Sequence, residues 1–81
     1  MINMEIKTKL SQKEACDAVK SFFSVGGLGL ELEQEGPDCL SFKGGGGFVN
    51  ATICESEGKT KIDFQSREWE QQVKAFAVKY S

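Results

Sequence analysis

Apolar and polar residues alternate at the start of the chain: Ile2, Met4 and Ile6 on one side, Asn3, Glu5 and Lys7 on the other. A period of two predicts a strand over residues 2–8. The period then changes. Ala15, Ala18, Val19, Phe22 and Phe23 recur at helical spacing, and Ser11-Gln12-Lys13-Glu14 has the form of a capping box. A helix over residues 12–24 follows, stopped by Gly26-Gly27. Alternation resumes with Leu28, Leu30 and Leu32, then Leu40 and Phe42, then Val49, Ala51 and Ile53, then Ile62 and Phe64. These predict four more strands between residues 28 and 65. They are separated by Gly36-Pro37-Asp38, by the run Gly44-Gly45-Gly46-Gly47, and by the short hairpin loop Glu55-Ser56-Glu57-Gly58-Lys59. Ser66 is the second helix start signal. Trp69, Val73, Phe76, Ala77 and Tyr80 repeat at helical spacing, so the closing helix is predicted over residues 67–80.

The order is β-α-β-β-β-β-α, an α+β class with a five-stranded antiparallel sheet and two helices on one face. Successive strands joined by short turns form an antiparallel meander. Each strand has one apolar and one polar side, as in a sheet wet on one face. The 81 residues form a single α+β domain, 1–81, with no internal repeat and no linker.

This pattern resembles the repeat of the TATA-binding-protein-like fold, and the trimmed core of the helix-grip fold of START and Bet v 1-like proteins. The resemblance rests on the strand at 2–8, the helix capped at Ser11, the meander 28–65 and the closing helix from Ser66. It is one of order and not of sequence motif. It implies that the first strand lies beside the fifth and that the closing helix lies across the sheet. Ligand-holding helix-grip proteins carry an added helix and two more strands after the first helix. Here only Val25-Gly26-Gly27 intervene. The DNA-binding relatives use two repeats and a basic surface, and this chain has neither.

Composition narrows the chemistry. There is no histidine, which removes a histidine-based triad, a histidine metal site and a histidine pH switch. The net charge of −2 speaks against a nucleic-acid partner, which needs clustered positive charge. No apolar run approaches the length of a membrane span, and the alternating start lacks the apolar core of a signal peptide. Cys16, Cys39 and Cys54 are odd in number and widely spaced, a poor disulfide framework. A reduced, cytoplasmic protein is the expectation. No cofactor and no metal is implied.

Few residues escape the fold's own explanation. The glycines 44–47 precede a strand and not a helix, so they suit a flexible hairpin loop that moves against a partner better than a phosphate cradle. Phe48 follows them with outward parity, the large apolar residue on the polar side of the sheet, suited either to packing under the loop or to anchoring a partner. Cys39 and Cys54 share that side on adjacent strands. One register sets them opposite, with Phe42 facing Ala51. The other sets them diagonal, with Phe42 facing Val49. Two reduced thiols fit better than a redox pair or half a metal site, since no CxxC motif is present. Cys16 borders the apolar stripe of the first helix and suits packing. Glu31, Glu33 and Glu35 form one outward row on an edge strand, where charge discourages pairing with another chain. Glu5 and Asp63, near Lys7 and Lys61, suit cross-strand ion pairing.

The reading is a small non-catalytic binding or protein-interaction module with Phe48 and Gly44–Gly47 at its partner surface. The alternative is a small apolar-ligand binder, with Trp69, Val73, Phe76 and Tyr80 lining a pocket between the closing helix and the sheet. An enzyme is not expected, because no nucleophile–base constellation is visible.

Overall fold

The computed structural model describes residues 2–24, 28–36 and 38–80. Seven elements follow in the expected order: β1 (Ile2–Thr8), α1 (Gln12–Phe23), β2 (Glu31–Glu35), β3 (Cys39–Gly44), β4 (Gly47–Ser56), β5 (Lys59–Arg67) and α2 (Glu70–Tyr80). The sheet runs β1-β5-β4-β3-β2, antiparallel throughout, with β1 beside β5. Helix α1 packs on β3, β4 and β5, and α2 packs on β1 and β5, so both helices cover one face. The inward rows of the strands supply the buried floor: Leu40 and Phe42, Val49, Ala51 and Ile53, and Ile62 and Phe64.

The start of α1 is built as the capping box predicts. The Glu14 amide donates to Ser11 Oγ (3.2 Å), and the Ser11 amide donates to Glu14 Oε1 (3.0 Å). Gln12 ties this first turn to the sheet through Nε2 and the Ile53 carbonyl (3.2 Å). The helix ends at Phe23, with Ser24 as its cap. The Gly26-Gly27 stop signal lies outside the described residues. Leu28 and Leu30 do not begin β2. Their amides, and that of Gly29, donate to the carbonyls of Phe22, Phe23 and Ser24, which a helix end leaves without intrahelical partners. The last turn of α1 therefore claims the segment that alternation assigns to a strand.

The other departures have equally local causes. Ser66 is not a helix cap. It continues the inward row of β5 and pairs with Ile2 on one side and Val49 on the other. Strand pairing on both flanks outweighs one capping bond, and α2 begins later, with the Val73 amide donating to the Trp69 carbonyl (3.0 Å). The Ser66 hydroxyl is consequently buried without a hydrogen-bond partner. In β2 the register shifts between Leu32 and Gln34. This bulge breaks the expected outward row of glutamates. Glu31 faces out opposite Lys43, whereas Glu35 pairs with Leu40 and reaches Lys20 of α1 (2.9 Å) on the helix side. The hydrogen bond from Lys20 to Glu35 holds the ammonium above its usual pKa.

Ser11→Ala should cost about 1 kcal/mol in urea unfolding. Ser11's backbone amide, then its hydroxyl, hold the Glu14 carboxyl below its ordinary 4.5. A depressed carboxyl stabilises fully above its unfolded value and loses that effect as pH falls through the folded one. The stability gap between wild type and Glu14→Gln should therefore be constant near neutral pH and narrow below 4.5.

Candidate functional site

The open face of the sheet is the side that neither helix covers. Register fixes what stands on it. One row crosses all five strands: Gln34 opposite Ser41, Ser41 opposite Asn50, Asn50 opposite Gln65, and Gln65 opposite Asn3. All five are uncharged and carry donors and acceptors. Among the described residues, none of these five side chains makes a hydrogen bond to another protein group. The bulge at Glu33 is what brings Gln34 into line, by turning it outward opposite Ser41.

On one side of this neutral row lies a second, Glu31–Lys43–Phe48–Arg67. Phe48 is half-buried there between two cations, Lys43 and Arg67. Lys43 is also 3.5 Å from Glu33. On the other side, Cys39–Thr52–Asp63–Glu5 and then Cys54–Lys61–Lys7 complete the face. Two shallow hollows meet on it. One, about 490 Å³, is lined by Glu33, Gln34, Ser41, Phe48 and Asn50. The other, about 500 Å³, is bordered by Asn3, Asn50 and Gln65 with Glu5, Thr52 and Asp63. Asn50 lines both, so the two hollows adjoin there and together follow the neutral row as a shallow trough.

The thiols take the diagonal register. Cys39 faces Thr52, and Phe42 faces Val49. Cys54 faces Lys61 and is exposed, Cys39 is half-buried, and none of the three cysteines is in a disulfide. Burial pushes the Cys16 thiol above its usual pKa, as suits a residue packed against the core. Among the described residues no group of three or more Cys, Asp or Glu comes close enough together to hold a metal ion.

The glycine run forms a tight hairpin turn whose two ends belong to the strand ladder. Gly44 and Gly47 are paired strand residues, and only Gly45 and Gly46 form the turn. Both have positive φ (58° and 82°), the requirement of a two-residue type I′ hairpin. Trp69 closes over this turn. Its indole N–H donates to the Gly44 carbonyl (2.8 Å), and a Cβ on Gly45 would lie 3.0 Å from the indole ring. Gly47 is a point of close approach: a Cβ there would lie 2.0 Å from the Arg67 carbonyl oxygen. The turn is thus a paired end of the sheet, tied by Trp69 to the start of α2. It positions Phe48, two residues further on, on the open face.

Val73 and Phe76 are fully buried. The Phe76 ring packs against Phe22, Phe23, Phe64 and Tyr80 at centroid distances of 4.6–5.9 Å. Side chains fill the space between α2 and the sheet at these positions. Among the described residues Tyr80 borders two hollows, one of about 590 Å³ with Thr8, Leu10 and Lys79 at the end of the layer and one of about 270 Å³ with Ser21, Phe22, Leu28 and Lys79. Parity alone could place Phe48 and the thiols on the open face. The neutral row depends on inter-strand register and on the bulge, which no side-chain pattern within β2 signals.

This chain matches no protein-family profile and no curated protein. No helix among the described residues is long and apolar enough to cross a membrane.

Gly47→Ala should destabilise by at least about 2–3 kcal/mol, since backbone must move to admit the methyl. Gly46→Asn, which places a tolerant residue at positive φ in open space, should cost within about 1 kcal/mol. Urea unfolding of the pair measures the difference, and equal effects would contradict the close approach at Gly47.

Proposed function

We propose that this chain is a small non-catalytic binding module whose open sheet face docks a partner protein. The observation that carries the reading is the row Gln34–Ser41–Asn50–Gln65–Asn3, lying in a trough beside Phe48 with its side-chain donors and acceptors uncommitted. Protein interfaces combine an aromatic anchor with a surround of adaptable hydrogen bonds, and buried charge at their centre is disfavoured. The trough has that composition. Its neutral row lies along the middle, with Lys43 and Arg67 on one flank and Glu5 and Asp63 on the other. Backbone pairing on both sides of β3, β4 and β5 makes the platform rigid, which lowers the ordering cost of binding.

The role of Phe48 is that of an anchor. Its backbone is fixed by the turn that Trp69 holds, so its ring is presented without loop entropy to lose. The partner supplies backbone and polar side chains to the amides and an apolar surface to Phe48.

Phe48→Asp should abolish recovery of partners from cell extract, and Asn50→Asp should reduce it, with unchanged far-UV circular dichroism in both. Once a partner is identified, Phe48→Ala should weaken binding by about 2 kcal/mol, roughly 30-fold. Retention of every partner by Phe48→Asp would contradict the reading.

A further inference from the structure

The two edges of the sheet are built differently. β2 is five residues long and interrupted by a bulge at Glu33, and both features blunt an edge against pairing. β1 is seven residues long and pairs with β5 in unbroken register from Ile2 to Thr8. Among the described residues no strand lies beyond it. An unbroken edge strand offers a complete set of backbone donors and acceptors to another strand.

The charges beside this edge are arranged unusually. Within the chain, Glu5 stands directly opposite Asp63, and Lys7 directly opposite Lys61. Like charges directly opposite one another destabilise a strand pair. One diagonal contact, Lys61 to Glu5 at 3.7 Å, offsets part of this. The open face therefore ends at β1 in an acidic row, Asp63–Glu5, and beside it a basic row, Lys61–Lys7. Each row lacks the opposite sign at its outer end.

A second copy of this chain supplies it. We propose that β1 pairs antiparallel with β1 of a second copy about a two-fold axis through Ile6, joining two sheets into one of ten strands. In that register Glu5 of each copy faces Lys7 of the other, twice by symmetry. The acidic row of one copy runs into the basic row of its mate. Neighbouring two-fold registers do not do this. Centring on Glu5 sets Glu5 against itself, and centring on Lys7 sets Lys7 against itself. On the inner side the Ile6-centred register brings Ile6 against Ile6, and half-buried Met4 against Thr8, continuing the apolar floor under the α2 helices. The inference goes beyond the sheet-face reading: Asn3 and Glu5 of β1 border the trough, but its anchor, Phe48, lies on β4, two strands from this edge.

The test is sedimentation velocity of wild type, Glu5→Lys, Lys7→Glu and the double swap, from about 1 µM to about 300 µM and at low and high salt. Either single reversal places like charges opposite at two symmetric points. The double swap restores opposite charges there, and it also sets Lys against Asp63 and Glu against Lys61 within each chain. Wild type is expected to shift from monomer to dimer over this range, less so at high salt. Each single variant should weaken dimerisation at least tenfold, and the double swap should return to within about threefold of wild type. Circular dichroism melts confirm that all four fold. A monomeric wild type at the highest concentration, singles that dimerise like wild type, or a double swap as weak as the singles would each overturn the proposal.

Discussion

Phe23 is where the two layers of this protein meet. Its ring lies 5.8 Å from Phe42 of β3, 5.8 Å from Phe64 of β5 and 5.9 Å from Phe76 of α2, and it touches its own neighbour Phe22. It is fully buried. A chain this short can afford one apolar layer, between one sheet face and two helices, and no second core to share the load. Aromatic rings bury more area per residue than any other side chain, so a cluster of five Phe and Tyr80 supplies a large part of what opposes chain entropy. Each element reaches that cluster or packs beside it. The helix-end hydrogen bonds from Leu28, Gly29 and Leu30 matter for the same reason, because they close the chain directly around Phe22, Phe23 and Ser24.

With the apolar side so committed, the remaining chemistry is displaced to the opposite face. That face carries a neutral row, a half-buried aromatic and segregated charges. It is stiff for structural reasons. Two hairpins with positive φ at both turn residues, Gly45-Gly46 and Glu57-Gly58, hold β3, β4 and β5 in fixed register. Trp69 then pins the first of them from the helix layer. The core and the open face are thus linked at one point, the start of α2, where the indole, the glycine turn and Phe48 follow one another in space.

Much of this fold is legible in the sequence because it depends on parity. Val49, Ala51 and Ile53 must face one way whatever their neighbours do, and Ser11 and Glu14 satisfy each other within one turn. What escapes is decided by competition between segments. Leu28 and Leu30 alternate like strand residues, but the carbonyls at the end of α1 capture their amides. Ser66 suits a helix cap, but β1 and β4 both pair with it and extend β5. In β2 the run Glu33-Gln34-Glu35 is polar throughout, so it carries no parity to reveal a bulge. The open-face site depends on that bulge and on the choice between two registers of β3 and β4. Phe48 and the thiols could be assigned to it from parity alone; Gln34 and the row that it completes could not.

Phe23 is the contact that the helix and sheet layers share. Urea unfolding of Phe23→Ala and Phe23→Leu, followed together by far-UV circular dichroism and Trp69 fluorescence, addresses that directly. The expected losses are about 3–5 kcal/mol for alanine and about 1–2 kcal/mol for leucine, with the two signals coincident in every case. A loss below about 1 kcal/mol for alanine, or helix signal melting before Trp69 responds, would contradict it.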